Sequence, residues 1–292
     1  MLNYDMPLYR PPSEGNNLII QATLGCSFNQ CSFCSMYKSK QYQARPLTAV
    51  LKDIEEAATH QPNAQRVFLA DGDALALPME NLLPILDRLA ESLPRLSRVS
   101  CYATPANILR KSPQELAQLR ERKLSLLYLG VESGDNRILK RITKGATQHS
   151  IRRAMERAAE SRMKVSATVI LGLGGQNHWR EHIDGTLELL NSAPTSYLST
   201  LQLYLEEEAV TEFAEKFGEP FLPQDDPAIL EEQKRLIAGL TPPTAVIFRS
   251  NHASNALALA GNLPRDRIRL LDQIKAAQAG AVKLRENNLR RL

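Results

Sequence analysis

LSLLYLGV, residues 124–131, is apolar at nearly every position. A strand solvated on one face alternates apolar with polar residues, whereas one that is apolar almost throughout must be covered on both faces. That is the situation of a parallel sheet with helices on either side. Runs of the same kind recur outward from it as LIIQATL (18–24), RVFLA (66–70), RVSCYA (98–103), KVSATVIL (164–171), YLSTLQLYL (197–205) and TAVIF (244–248), and each reads as a strand. The segments between them have helical spacing: in TAVLKDIEEAATH, residues Val50, Leu51, Ile54, Ala57 and Ala58 share a face, and MENLLPILDRLAESL repeats the pattern. Ser112, Pro113 and Glu115 spell a capping box, and Thr147 is placed to cap the helix that follows it. The expected fold class is α/β, a partial (β/α)6-type TIM barrel over residues 1–205. Residues 206–292 form an expected extension that closes the barrel and contributes to the substrate site, acidic and helical to Leu240 and ending in a basic helix over 265–288.

The chain has 292 residues, 43% hydrophobic and 23% charged, which is the composition of a globular protein without collagen-like or disordered bias. No apolar run approaches the length of a membrane span, and the first ten residues lack a basic segment leading into an apolar one, so a cytoplasmic location without membrane attachment is expected. Net charge is +4, with nine Lys/Arg between Arg137 and Lys164 and ten Asp/Glu between Glu206 and Glu232. Charge blocks on helices usually face solvent, and nucleic-acid binding is not favoured from them.

In a parallel barrel, function gathers at the C-terminal ends of the strands. There the sequence places the three-cysteine segment GCSFNQCSFC (25–34), then ADGDAL, TPAN, Glu132-Ser133-Gly134, GLGGQ and FRSNHASN. Glycines at such ends let backbone approach a ligand, and carboxylates and amides supply hydrogen bonds to it. Cys26, Cys31 and Cys34 suit a metal centre better than a disulfide, in a chain with one further cysteine. Zinc would need a fourth ligand from Cys101 or from His60, His149, His178, His182 or His252, none of which has zinc-motif spacing to the loop. A cubane iron-sulfur cluster on three thiolates would keep one iron open to a ligand. Residue chemistry alone leaves both readings open.

The whole set resembles the radical S-adenosylmethionine (radical SAM) superfamily, in the branch that includes tRNA methylthiotransferases, the elongator catalytic subunit and oxygen-independent coproporphyrinogen oxidase. The likeness runs over residues 18–205. It implies one [4Fe-4S] cluster on Cys26, Cys31 and Cys34, with S-adenosyl-L-methionine chelating the fourth iron. It implies further that Phe33 lies near the adenine, Gly72 and Asp73 hold the methionyl amine, Glu132 and Ser133 with Gly130 contact the ribose or methionyl part, and Ile170 and Gly172 form the adenine motif. Three positions depart from the pattern: four residues rather than three separate Cys26 from Cys31, Asp73 stands for the commoner glutamate, and Gln176 for another glutamate. The implied chemistry is reductive cleavage to a 5'-deoxyadenosyl radical that abstracts hydrogen from a substrate, with electrons from a flavodoxin or ferredoxin-type reductant; whether the net reaction is that of an oxidoreductase or a transferase stays open.

The substrate clamp is expected outside those motifs. Arg249, Asn251, His252 and Asn255 in FRSNHASN are the candidate catalytic residues, with Tyr102, Thr104, Asn107, Gln202 and Tyr204 completing the lining. Cys101 reads as a packed strand cysteine. A cobalamin-binding or RNA-binding module is not evident, so a small-molecule substrate is favoured over an RNA-modifying role. The rival classes are a zinc-stabilised nucleic-acid-binding protein and a pure electron carrier.

Overall fold

The computed structural model describes residue 2 and residues 4–290. In chain order the elements are β1 (Leu18–Gln21), β2 (Thr23–Leu24), β3 (Gln43–Ala44), α1 (Leu47–His60), β4 (Arg66–Ala70), α2 (Met79–Ser92), β5 (Arg98–Ala103), α3 (Pro105–Arg110), α4 (Pro113–Glu121), β6 (Leu124–Glu132), α5 (Asn136–Arg141), α6 (Gln148–Glu160), β7 (Lys164–Leu171), α7 (Gly175–Ser192), β8 (Tyr197–Gln202), α8 (Glu207–Phe217), α9 (Asp226–Gly239), β9 (Val246–Ser250), β10 (Leu259–Leu263) and α10 (Arg267–Gln278). They fall into two compact units, one of residues up to 29, 36–129 and 157–165, the other of residues 30–35, 130–156 and 166 onward.

In the first unit β1 pairs parallel with β4, β4 with β5 and β5 with β6. Leu124, Leu126, Leu127 and Leu129 of β6 are all buried, as are Val67, Phe68, Leu69 and Ala70 of β4. That is the two-sided burial their unbroken apolar character called for. Helices α1 and α2 turn Val50, Ile54, Ala57 and Leu82, Ile85, Leu86, Leu89 inward. The capping box at α4 forms as read: Glu115 N–H donates to Ser112 Oγ at 3.1 Å, and Ser112 N–H to Glu115 Oε2 at 2.7 Å.

In the second unit β7 pairs parallel with β8 and β8 with β9, and β10 returns antiparallel on β9. Thr147 caps α6 as expected, accepting from Ser150 N–H at 3.2 Å. The elements differ from the sequence reading at several points, β8 among them, which ends at Gln202 rather than 205. The run 18–24 breaks after Gln21, because Thr23 and Leu24 leave β1 to pair antiparallel with Gln43 and Ala44. The last parallel strand is shifted to Val246–Ser250, so Arg249 and Ser250 lie within it rather than beyond it. Strand β10 was not expected; in LAGNL only alternate positions are buried, a weak signal for an antiparallel edge. The C-terminal helix ends at Gln278 rather than 288, where Ala279-Gly280 follow and Gly280 takes φ +75°.

Candidate active site

The cysteine segment is the long excursion between β2 and β3, and the two short strands tie its ends together. In the first unit Gly25 N–H donates to Asp71 Oδ2 at 3.3 Å, and the same oxygen accepts from Lys40 Nζ at 3.1 Å. Asn29 Nδ2 donates to the carbonyls of Tyr37 and Lys40 at 2.8 and 3.2 Å. Backbone at both ends of the excursion is therefore fixed by polar side chains, the buried Asp71 at one and the half-buried Asn29 at the other.

Gly72 and Asp73 follow β4. A Cβ on Gly72 would stand 2.6 Å from the Tyr37 ring, so only glycine allows that approach. Asp73 is fully buried. Its Oδ2 accepts from Ser27 Oγ and Asn107 Nδ2, while Oδ1 is buried with no partner at all. Burial pushes this carboxyl up to about 6, partly offset by those two hydrogen bonds. The Tyr42 phenol is pushed up to about 12 by burial, with the nearby Asp73 carboxyl and Cys26 thiol adding to it. Cys26, Asp73, Ser27, Asn107 and Tyr42 thus form one neighbourhood. An anion with a dry, unfilled acceptor is suited to an ammonium group. Cys101 is fully buried in β5, where desolvation raises its thiol far above the ordinary value, as fits a packing role.

In the second unit Cys31 and Cys34 are half-buried and share a turn, Cys34 N–H donating to Cys31 O at 3.3 Å. Ser32 N–H donates to Ile142 O at 3.0 Å, and Lys216 Nζ of α8 to Gln30 O at 3.3 Å. Phe33 packs on the apolar cluster of Ile138, Ile142, Ile170, Leu173, Phe213 and Phe217. Glu132 ends β6 at φ +62°, a left-handed conformation uncommon for a branched-free but non-glycine residue. Its Oε1 pairs with Lys144 Nζ at 2.8 Å, both side chains being largely buried. Burial disfavours the Lys144 ammonium, but Glu132 and the thiols of Cys31 and Cys34 outweigh that and raise it above the ordinary lysine value. A buried cation beside two thiols suits an anionic centre or a ligand carboxylate. Lys144 lies twelve residues from Glu132 with α5 between them, so no local pattern in the sequence marks it.

Ser133, Ile170 and Gly172 lie together. Ser133 Oγ is 2.8 Å from His182 Nδ1, His182 Nε2 is 3.0 Å from Ile170 O, and Gly172 N–H donates to Glu232 Oε2 at 2.7 Å. Gln176 is spent on the segment before α9: its N–H donates to Leu222 O at 2.8 Å and its Nε2 to Pro223 O at 3.0 Å.

Of FRSNHASN, Asn255 is buried and fully engaged. Its Oδ1 accepts from Gln202 N–H at 2.6 Å, and its Nδ2 donates to Thr200 O and Ser250 Oγ at 2.8 and 3.0 Å. His252 Nδ1 lies 2.9 Å from Ser254 Oγ, and burial, then the Arg285 charge, lowers its imidazole. Arg285 Nη1 donates to the carbonyls of His252, Ala253 and Asn255 at 2.9, 2.7 and 3.3 Å. Arg249 and Asn251 are exposed, and Arg249 Nη1 donates to Phe248 O at 2.7 Å. Among the described residues no three Cys, His, Asp or Glu side chains stand together as ligands of a single metal ion. No helix among them is long and apolar enough to cross a membrane.

The chain is similar to known proteins over much of its length. The family model described as the Radical SAM superfamily matches residues 20–190. The heme chaperone HemW of Bacillus subtilis (strain 168) is 26% identical over 187 residues, covering 62% of this chain and 48% of that protein. The chain thus spans under half the length of that relative. Among solved structures, methylornithine synthase aligns with TM-score 0.55 at 15% identity over 88% of this chain and 68% of that one. Coproporphyrinogen III oxidase from Escherichia coli, a radical SAM enzyme, aligns with TM-score 0.53 at 14% identity over 76% and 50%. The α/β fold expected from the strand pattern is the fold of these neighbours.

Proposed function

Because the chain belongs to the radical SAM superfamily, we propose that it is an enzyme whose cysteine segment, through Cys26, Cys31 and Cys34, holds one [4Fe-4S] cluster that is completed by S-adenosyl-L-methionine. When bound, those two groups supply reductive cleavage of a sulfonium and a primary carbon radical for hydrogen abstraction. The chain's own residues bind, orient and exclude water. Asp73, oriented by Ser27 and Asn107, accepts the methionyl ammonium on its open Oδ1. Lys144 supplies positive charge beside Cys31 and Cys34, held by Glu132. Phe33, backed by Phe213 and Phe217, gives an apolar wall for the adenine that Ile170 extends, with Gly172 in the turn that follows it.

The observation that carries this reading is the buried, unpartnered Asp73 Oδ1 in the neighbourhood of Cys26. Leaving such an acceptor unsatisfied costs roughly 1–3 kcal/mol, a cost that a bound ammonium removes. Residues 206–292 are read as an extension contributing the loop of Arg249, Asn251 and His252 to the substrate site, with Asn255 anchoring that loop to β8. The substrate is read as a small molecule and the electron donor as a flavodoxin or ferredoxin-type protein.

Anaerobic reconstitution tests the proposal. The expected product is a brown protein that, reduced in the presence of S-adenosylmethionine, forms 5'-deoxyadenosine, and the Cys31→Ala variant forms none. A colourless protein that retains zinc, or a brown one that forms no 5'-deoxyadenosine, overturns it.

A further inference from the structure

We propose that Glu232 and His182, whose side chains are buried against backbone, are positioning residues that hold the turns after β6 and after β7 in the shape the S-adenosylmethionine site requires. The inference rests on the function proposed above and extends it to a helix beyond the matched residues 20–190, since Glu232 belongs to α9. Both side chains are fully buried.

The hydrogen positions follow from the partners. A carbonyl oxygen can only accept, so His182 Nε2, 3.0 Å from Ile170 O, must carry the proton. Nδ1 is then a lone pair, and Ser133 Oγ, 2.8 Å away, donates to it. That leaves the Ser133 oxygen to accept from Asp135 N–H at 3.1 Å. Gly134 N–H, between them, donates to Thr186 Oγ1 of α7 at 2.9 Å. Burial lowers the His182 imidazole to about 4, so this neutral tautomer persists across the ordinary pH range. The turn after β6 is thereby bolted to α7.

Glu232 does the same for the turn after β7. Its Oε2 accepts from Gly172 N–H at 2.7 Å, and its Oε1 lies 3.4 Å from His182 Nε2. Gly172 takes φ +83°, and the methyl of Ile229, also on α9, stands 2.8 Å from where a Cβ would be. The turn is thus held by one hydrogen bond from α9, and the same helix leaves no room there for a side chain. Glutamine keeps an oxygen to accept the Gly172 N–H and is the faithful replacement, and burial pushes the Glu232 carboxyl up toward its neutral form.

Ser133, His182 and Glu232 carry the residue types of a hydrolytic triad, yet the geometry excludes that use. Nε2 is committed to a carbonyl, and Ser133 has no solvent exposure from which to attack a substrate. A buried acid with a single donor is also a costly way to fill space that leucine would fill. The structure therefore uses it for position.

The test measures S-adenosylmethionine binding and 5'-deoxyadenosine formation in reconstituted protein, together with iron content. Glu232→Gln should bind as the unsubstituted protein does. Glu232→Leu should keep its iron but bind about tenfold more weakly, the effect of about one lost hydrogen bond at the site, with the rise in KM exceeding any fall in kcat. If Glu232→Leu fails to fold, His182→Leu, which removes the contacts to Ser133 and Ile170, should show the same KM-dominated loss. A folded leucine variant with unaltered affinity and KM overturns the inference while leaving the proposed function standing. An unsubstituted, cluster-loaded protein that does not bind S-adenosylmethionine instead refutes the proposed function, and this inference with it.

Discussion

The turn after β4 and the loop after β9 are both rich in polar side chains, yet they treat them oppositely. At the first, Asp73 spends one carboxylate oxygen on Ser27 and Asn107 and keeps the other buried and open. At the second, Asn255 spends its oxygen and both amide protons on Gln202, Thr200 and Ser250, and Arg285 occupies the surrounding carbonyls. Polar density alone therefore does not mark a ligand site; what suits Asp73 to one is leftover hydrogen-bonding capacity in a dry place beside the cysteine segment.

Substitution separates the two loops. Asp73→Ala should weaken S-adenosylmethionine binding by about a hundredfold, the scale of a lost charge-assisted hydrogen bond in a dry site, while the unliganded protein loses only about 1 kcal/mol, because Asn107 and Ser27 lose an acceptor but the unpartnered Oδ1 goes with it. Equilibrium binding and thermal melting check both parts, and unchanged affinity would erase the contrast. Asn255→Ala should do the reverse: stability falls by roughly 3 kcal/mol, because several buried groups lose their partner, while S-adenosylmethionine affinity holds. Denaturant titration of the unliganded protein measures it.

A pH series sharpens the Asp73 half. Its carboxyl titrates near 6 in the folded chain against an ordinary 3.8, so ammonium binding should weaken by about tenfold between pH 7 and pH 5 as the carboxylate is lost. Asp73→Asn should flatten that dependence. The sign for stability is opposite: between about 4 and 6 the folded chain holds a proton that the unfolded chain has released, so this group's contribution falls as pH rises through that window. The smallest effect belongs to Arg249, which is exposed; Arg249→Ala should change stability by less than about 0.5 kcal/mol. Any effect it has on turnover would then report on substrate.

The strand ends could be read from the sequence because parallel strands are apolar on both faces, and β4, β6 and β7 end within a residue or two of their apolar runs. Caps at Ser112 and Thr147 were equally visible, since a capping hydrogen bond is local. What was not visible depends on contacts distant in sequence. Lys144 is one lysine in a basic stretch until Glu132 and the thiols face it, and Glu232 is one acid in an acidic stretch until Gly172 N–H reaches it. Charge counting placed both on solvated faces, and only burial distinguishes them. Asn255 failed in the other direction: a residue suited to bind a substrate turns out to be fully used inside the protein.

The central claim is that Cys26, Cys31 and Cys34 hold a cluster with one iron left for S-adenosylmethionine. Electron paramagnetic resonance of the reduced, reconstituted protein tests it most directly. The account predicts the signal of a reduced [4Fe-4S] cluster whose line shape changes when S-adenosylmethionine is added and which is absent from Cys31→Ala. A cluster signal indifferent to S-adenosylmethionine, or one that survives in that variant, would contradict it.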